Sequence, residues 1–138
     1  MTTECELCEQ DGGEVLYRDA ALRVVLVDDP HYPGFCRVIW NGHVKEMTDL
    51  GLDDRKLLMA AVWAVEAAVI EVMAPEKINL ASLGNMTPHV HWHVIPRYRD
   101  DAHFPNPIWA QAVRPGATSP LRSSLLPALR AAVARRLA

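Results

Sequence analysis

One hundred and thirty-eight residues suit a single domain, and a chain of that length buries roughly two-thirds of the surface its unfolded form exposes, so it needs no disulfide or metal merely to fold. A composition of 50% hydrophobic and 22% charged residues with a net charge of −3 excludes a disordered acidic tail and a wholly basic nucleic-acid binder. The charge is unevenly spread. Residues 1–101 hold nine basic against seventeen acidic residues, a balance of −8, while residues 102–138 hold five arginines and no acid.

The first eight residues lack the basic and apolar segments of a secretory signal, which predicts a cytoplasmic protein. In that reducing compartment Cys5-x-x-Cys8 reads as a metal or redox pair and not as part of a disulfide framework. Residues 14–18 and 22–27 read as strands on either side of an Asp19-Ala20-Ala21 turn, predicting a hairpin. The Pro- and Gly-rich stretch 28–34 is a loop, followed by a third strand at 35–40, in which Cys36 is a small buried hydrophobe.

Apolar positions Leu57, Leu58, Ala61, Val62, Val65, Val69 and Met73 recur every three or four residues, predicting a long amphipathic helix over 53–73, with Asp53 and Asp54 at its positive end and Pro75 as its stop. Its longest unbroken apolar run, Leu57 to Val65, is nine residues, well under the ~20 of a membrane span. Strands at 77–82 and 88–95 follow, joined by Leu83-Gly84-Asn85-Met86-Thr87. Beyond them lie an irregular Pro-rich segment and a basic helix over 121–137. The fold class is α+β, with a five-stranded antiparallel sheet, one long helix and a C-terminal helical extension: a domain over 1–101, and an addition over 102–138 packed on or beside it.

The chemistry concentrates in His89-Val90-His91-Trp92-His93-Val94-Ile95. Period-two alternation on a strand puts all three imidazoles on one face, roughly 6–7 Å apart at ~3.3 Å per residue. Three histidines so aligned cost desolvation unless each has a partner. Two chemistries suit them: an H-x-H metal pair, or a nucleophilic histidine oriented by its neighbours.

This stretch resembles the motif of the histidine triad (HIT) family, followed here by Pro96-Arg97. N-L-A-S-L-G-N-M-T-P-H-V-H-W-H-V-I-P-R-Y is similar to bacterial members described as diadenosine tetraphosphate hydrolases. The resemblance covers about residues 3–98. It implies that His91 is the nucleophile, attacking the α-phosphate of a nucleotide to give a nucleotidyl-histidine that water hydrolyses. It further implies that His93 orients and polarises the site, that Asn85 and Thr87 lie near the phosphates, and that Asp28 binds the ribose hydroxyls. Dinucleoside polyphosphates are the expected substrates. Adenosine phosphoramidates, or a regulatory nucleotide-binding role with incidental hydrolysis, are the alternatives.

The family's zinc-containing members imply a structural zinc on Cys5, Cys8, His43 and His89, and the family's pairing implies a homodimer; neither nucleic acid nor membrane is an expected partner. Three positions depart from the pattern. Met86 stands where many members carry Ser or Thr, Phe35 replaces an additional histidine of the third strand, and Pro88 follows a shortened loop. A rival metallohydrolase would place catalytic metal on His89 and His91, with Asp100 and Asp101 as the nearest acids after the strand.

In the basic tail, Leu125, Leu126, Leu129 and Val133 form an apolar stripe that packs on the domain. Arg114, Arg122, Arg130, Arg135 and Arg136 either face water, raise the potential near a polyphosphate, or meet the acidic body of a second subunit. The segment His103-Phe104-Pro105-Asn106-Pro107-Ile108-Trp109 could close over a nucleotide base.

Overall fold

The computed structural model describes residues 5–138. A one-turn helix α1 (Glu6–Glu9) precedes the hairpin of β1 (Glu14–Arg18) and β2 (Leu22–Leu26), and β3 (Cys36–Trp40) leads into the long helix α2 (Leu52–Met73). Strands β4 (Lys77–Ala81) and β5 (His91–Arg97) complete the sheet, followed by a short α3 (Pro120–Ser123) and then α4 (Leu126–Leu137). All neighbouring strands are antiparallel, in the order β1-β2-β3-β5-β4. The hairpin turn closes because Asp19 Oδ1 accepts the Ala21 and Leu22 amides at 2.8 and 2.9 Å, which is the residue's usual service in turns.

Strand alternation gives the sheet two unlike faces. Leu22, Val24, Leu26, Cys36, Val38, Trp40, Ile78 and Val94 share one apolar core with the buried stripe of α2. The opposite face carries Arg37, Ile39, His91, His93 and Ile95, because Arg37 pairs with His93 and Ile39 with His91 across β3 and β5. This second face is only partly covered, by Leu7 on Val25 and Ile39 and by Tyr32 and Ile108 around Phe35 and Ile95.

Three expected boundaries move, each for a local reason. Strand β5 begins at His91 instead of residue 88, because Pro88 has no amide to donate and the His89 amide turns back to the Thr87 carbonyl at 2.8 Å. His89 therefore sits in the turn ahead of the strand. At the other end β5 runs on through Pro96, paired with Ile78 on the β4 side; its partner on the other side, β3, has ended by then, which tolerates a proline.

In α2 the buried stripe is Leu58, Ala61, Val62, Val65, Ala68, Val69 and Met73. Leu57 lies one residue, about 100°, off that stripe and is 47% exposed. The predicted C-terminal helix breaks at Ser124–Leu125. Pro127 has no amide and would clash with the carbonyl four residues back, so the chain restarts with that proline in the first turn of α4.

Helix α4 packs against α2 and β1, burying Leu129, Ala132 and Val133. Its charges meet acids of the same chain: Arg135 and Arg136 share Glu71 and Arg130 holds Glu14 through two bonds, while Arg122 of α3 reaches Asp100. The positive tail and the negative body thus meet one another in surface ion pairs within one molecule, with the paired side chains still open to water. Among the described residues, no helix is long and apolar enough to cross a membrane.

Candidate active site and metal-binding group

His91 occupies the first position of β5. Its Nδ1 lies 2.6 Å from the His89 carbonyl. A carbonyl only accepts, so Nδ1 carries the proton and Nε2 keeps its lone pair. Burial, and then the nearby Arg37 cation, hold the imidazole below its ordinary pKa, against the opposing bond to the His89 carbonyl. The ring is therefore neutral and nucleophilic at pH 7.

Two residues on, the His93 ring stands edge-on to His91 with centroids 5.0 Å apart. Burial first, then His91 and Arg37, push its pKa down to about 4. Phe35 packs its ring at 5.7 Å from His93, and the Trp109 ring also stands edge-on to it at 5.0 Å. The expected extra histidine is thus replaced by an apolar wall, which leaves His93 Nδ1 buried without a partner among the described residues.

These imidazoles open onto a cavity of about 490 Å³ lined also by Arg37, Leu83, Gly84, Asn85, Thr87 and Trp109. The loop before the strand forms its far wall. Gly84 holds φ +75° there, a backbone state that favours glycine. The structure thus brings Asn85 and Thr87 to His91 and His93. Met86, 94% exposed, stands at the rim. Asp28 is not brought there: it lines a second cavity, of about 510 Å³, with Glu14, Asp29, Ser123 and Arg130.

The segment carrying Trp109 is fixed by a buried ion pair. Arg97 and Asp101, both side chains 2% exposed, meet at 2.9 Å, and Asp101 also accepts the amides of Tyr98, His103 and Phe104. Burial alone would raise the Asp101 pKa; the Arg97 bonds and these amides outweigh it and hold the carboxyl at about 2. Arg97 further donates to the Asn106 carbonyl, and Arg114 to the carbonyls of Asp101 and Phe104.

Behind His91 lies a second cluster. One ligand atom each from Cys5, Cys8, His43 and His89 can be chosen so that all lie within 4.8 Å of one another. Cys5 Sγ and Cys8 Sγ lie 3.3 and 3.5 Å from His89 Nδ1, Cys8 Sγ is 3.3 Å from His43 Nδ1, and the two Nδ1 atoms are 3.2 Å apart. Tetrahedral zinc with Zn–S near 2.3 Å and Zn–N near 2.05 Å requires S···N edges of about 3.6 Å and N···N edges of about 3.3 Å. The group fits such an ion. His89 Nε2 donates to the Trp40 carbonyl at 2.6 Å, which turns the Nδ1 lone pair toward the sulfurs, the usual role of a bond behind a metal-binding histidine.

The N-terminal arm bearing the cysteines is also gripped by the protein itself. Arg23, only 5% exposed, donates to the carbonyls of Leu7, Gln10 and Asp11 and to Asn41. The rival placement of a metal on His89 and His91 finds no support in this geometry, since His91 stands outside the four-residue group and Asp101 is committed to Arg97.

Two members of the site escape a reading based on the histidine motif. Arg37 was legible only as a lone cation in an otherwise apolar strand. The Arg97–Asp101 pair depends on a loop folding back on its strand, for which the sequence holds no periodic signal.

An antiparallel sheet that displays neighbouring imidazoles from its fourth-ranked strand, beside a Cys2His2 group, defines a histidine triad domain. The HIT domain family model matches residues 9–100, and the chain belongs to that family. It is 29% identical over 119 residues to an AP-4-A phosphorylase of Mycobacterium tuberculosis, the match covering 82% of this chain and 61% of the relative. The chain thus spans about three-fifths of the curated relative it matches.

Among solved structures, a histidine triad protein from Bradyrhizobium japonicum superposes with a TM-score of 0.75 at 24% identity, covering 93% of this chain and 92% of the other. That likeness concerns the fold. A Zn-bound histidine triad family protein from Mycobacterium smegmatis superposes with a TM-score of 0.60 at 25% identity, over 89% and 85% of the two chains.

Proposed function

We propose that this chain cleaves dinucleoside polyphosphates at the α-phosphate, with His91 as the nucleophile. The observation that carries the reading is the bond from His91 Nδ1 to the His89 carbonyl, which leaves Nε2 unprotonated in a cavity large enough for a phosphate chain. Nε2 attacks the α-phosphorus, and the P–N bond forms as the bridging P–O bond breaks. The bonding pair leaves on the oxygen of the departing phosphate, which takes a proton from the site or solvent.

A water then attacks the same phosphorus. The P–N bond breaks, its electron pair returns to Nε2, the water gives up a proton and a nucleoside monophosphate leaves. His93, neutral and walled by Phe35 and Trp109, orients the phosphoryl oxygens, and Asn85 and Thr87 donate to them from the loop. Asp28, the ribose ligand that the family resemblance implies, lines a separate cavity and takes no part in this step.

A second reading is favoured by the relative's name. In phosphorolysis, orthophosphate replaces water in the second step and the product is a nucleoside diphosphate. Incubating diadenosine tetraphosphate with the protein, with and without orthophosphate, and separating the products separates the readings: AMP under both conditions supports hydrolysis, and ADP formed only with orthophosphate supports phosphorolysis. Full activity in His91→Ala refutes the covalent step. Turnover confined to adenosine phosphoramidate, or binding with no turnover, supports the corresponding alternative.

Cys5, Cys8, His43 and His89 hold zinc as a closed structural site that pins the N-terminal arm to the sheet beside His91. A second copy of the chain pairs along β4. That strand ends the sheet, and beside it Glu66 of α2 lines a shared groove, flanked on the helix by exposed Trp63 and Ile70. Light scattering on wild type and Trp63→Glu tests the pairing, which predicts twice the monomer mass for the first and the monomer for the second.

A further inference from the structure

Arg37 is the cation of the cavity that no motif accounts for. It projects from β3 on the face that carries His91 and His93, directly opposite His93 in the strand register, and it lines the same cavity. A guanidinium has five N–H donors. Among the described residues, one bond from Arg37 is made, from Nη1 to the Gly12 carbonyl at 3.1 Å, and no carboxylate lies within ion-pairing distance.

Its Nε is buried with no partner among the described residues, where the other such side-chain atom is Nδ1 of His93, the residue facing it. The Phe35 ring, 5.9 Å from the guanidinium carbon, offers no hydrogen bond to either. Sheltered donors left unsatisfied cost free energy, and a cation so placed costs more unless an anion completes the site. Among the described residues Glu6 is the one carboxylate lining the cavity; it is exposed, it forms no ion pair with Arg37, and its Coulombic pull on the guanidinium ranks behind the opposing effect of burial. The missing partner is therefore supplied from outside the chain.

Its distance from the nucleophile says which anion. His91 faces Ile39 in the register, so Arg37 is its diagonal neighbour across the strands, their Cα positions roughly 7–8 Å apart. The attacked phosphorus has to lie about 3–3.5 Å from Nε2. A cation farther along the cavity meets the next phosphate of the chain in preference to the one under attack. We infer that Arg37 binds a phosphate beyond the α-phosphate, making this cavity selective for a phosphate chain over a single phosphate. This rests on the function proposed above, but its test does not need turnover.

The experiment is calorimetric titration of the full-length protein with inorganic tripolyphosphate and, separately, with AMP. Arg37→Leu should weaken tripolyphosphate about 10- to 150-fold, the range of a charge-assisted hydrogen bond, and AMP about threefold or less. Arg37→Lys, which keeps the charge and loses the planar fork, should fall between wild type and Arg37→Leu. Arg136→Leu, which removes a surface arginine away from the cavity, is the control for net charge and should bind as wild type does. Melting temperatures within about 2 °C of wild type would show that the Arg37 variants are folded.

Equal losses for tripolyphosphate and AMP in Arg37→Leu would overturn the inference, as would no loss for either or unfolding of both Arg37 variants. Tripolyphosphate selectivity in a protein inactive on every nucleotide would uphold the Arg37 subsite and refute the proposed function. Nucleotide cleavage that depends on His91 while tripolyphosphate ignores Arg37 would do the reverse.

Discussion

Replacing Asp101 with asparagine tests whether the buried pair with Arg97 holds the segment that carries Trp109. The carboxylate accepts Arg97 Nε at 2.9 Å and Nη2 at 3.0 Å, and the amides of Tyr98, His103 and Phe104 at 3.0, 3.0 and 2.7 Å. Asparagine keeps the volume and one acceptor. Its NH2 group, however, would face donors, and Arg97 would stay buried without a counter-charge. Two lines of reasoning give the magnitude. A carboxyl held at about 2, against an ordinary value near 3.9, contributes on the order of 2–3 kcal/mol at pH 7. Breaking a buried ion pair by removing one partner costs about 3–5 kcal/mol.

A loss of about 3 kcal/mol is expected, which for a domain of this length lowers the Tm by about 10 °C. The sign with pH follows from the depressed folded-state pKa. The stabilisation is fully present above the unfolded pKa near 4 and is lost as pH falls toward 2, where a protonated Asp101 resembles asparagine. Thermal melts of both proteins from pH 7 down to pH 3 should therefore show their gap narrowing below about pH 5. A gap under about 2 °C at pH 7, or one that does not narrow in acid, refutes the account.

Purified protein should carry close to one equivalent of zinc by atomic emission, and Cys8→Ala should lose it and melt at least 5 °C lower, while Cys36→Ala, outside the group, retains the metal. Trp109→Ala removes an edge-on contact to His93 worth about 0.5–1.5 kcal/mol beyond its buried area, so the KM for diadenosine tetraphosphate should rise more than kcat falls in steady-state assays. Leu129→Ala empties a fully buried site between α4 and α2 and should cost about 2–5 kcal/mol in chemical denaturation; a loss below 1 kcal/mol would mean that α4 is not part of the cooperative unit.

Much of this protein is written in local pattern. Short runs bounded by turn residues marked the strands, a three-and-four spacing marked α2, and the alternation of His89-Val90-His91-Trp92-His93 announced the chemistry, because these periods are properties of backbone geometry and survive without a partner. Spacing also suggested Cys5 and Cys8 as a pair. Contacts between distant segments had no such signature. The tertiary structure alone decided that His89 leaves the strand, so that its carbonyl fixes the tautomer of His91.

Likewise, only the packed molecule shows Phe35 and Trp109 enclosing His93, Asp28 opening onto another cavity, and Asp101 locking the loop through Arg97. The charge asymmetry is the clearest case. Its sign and location are readable from composition, yet its partners Glu14 and Glu71 are fixed by the packing of α4 on α2 and β1. Coulomb attraction selects no partner until burial of Leu129 and Val133 has set the distances.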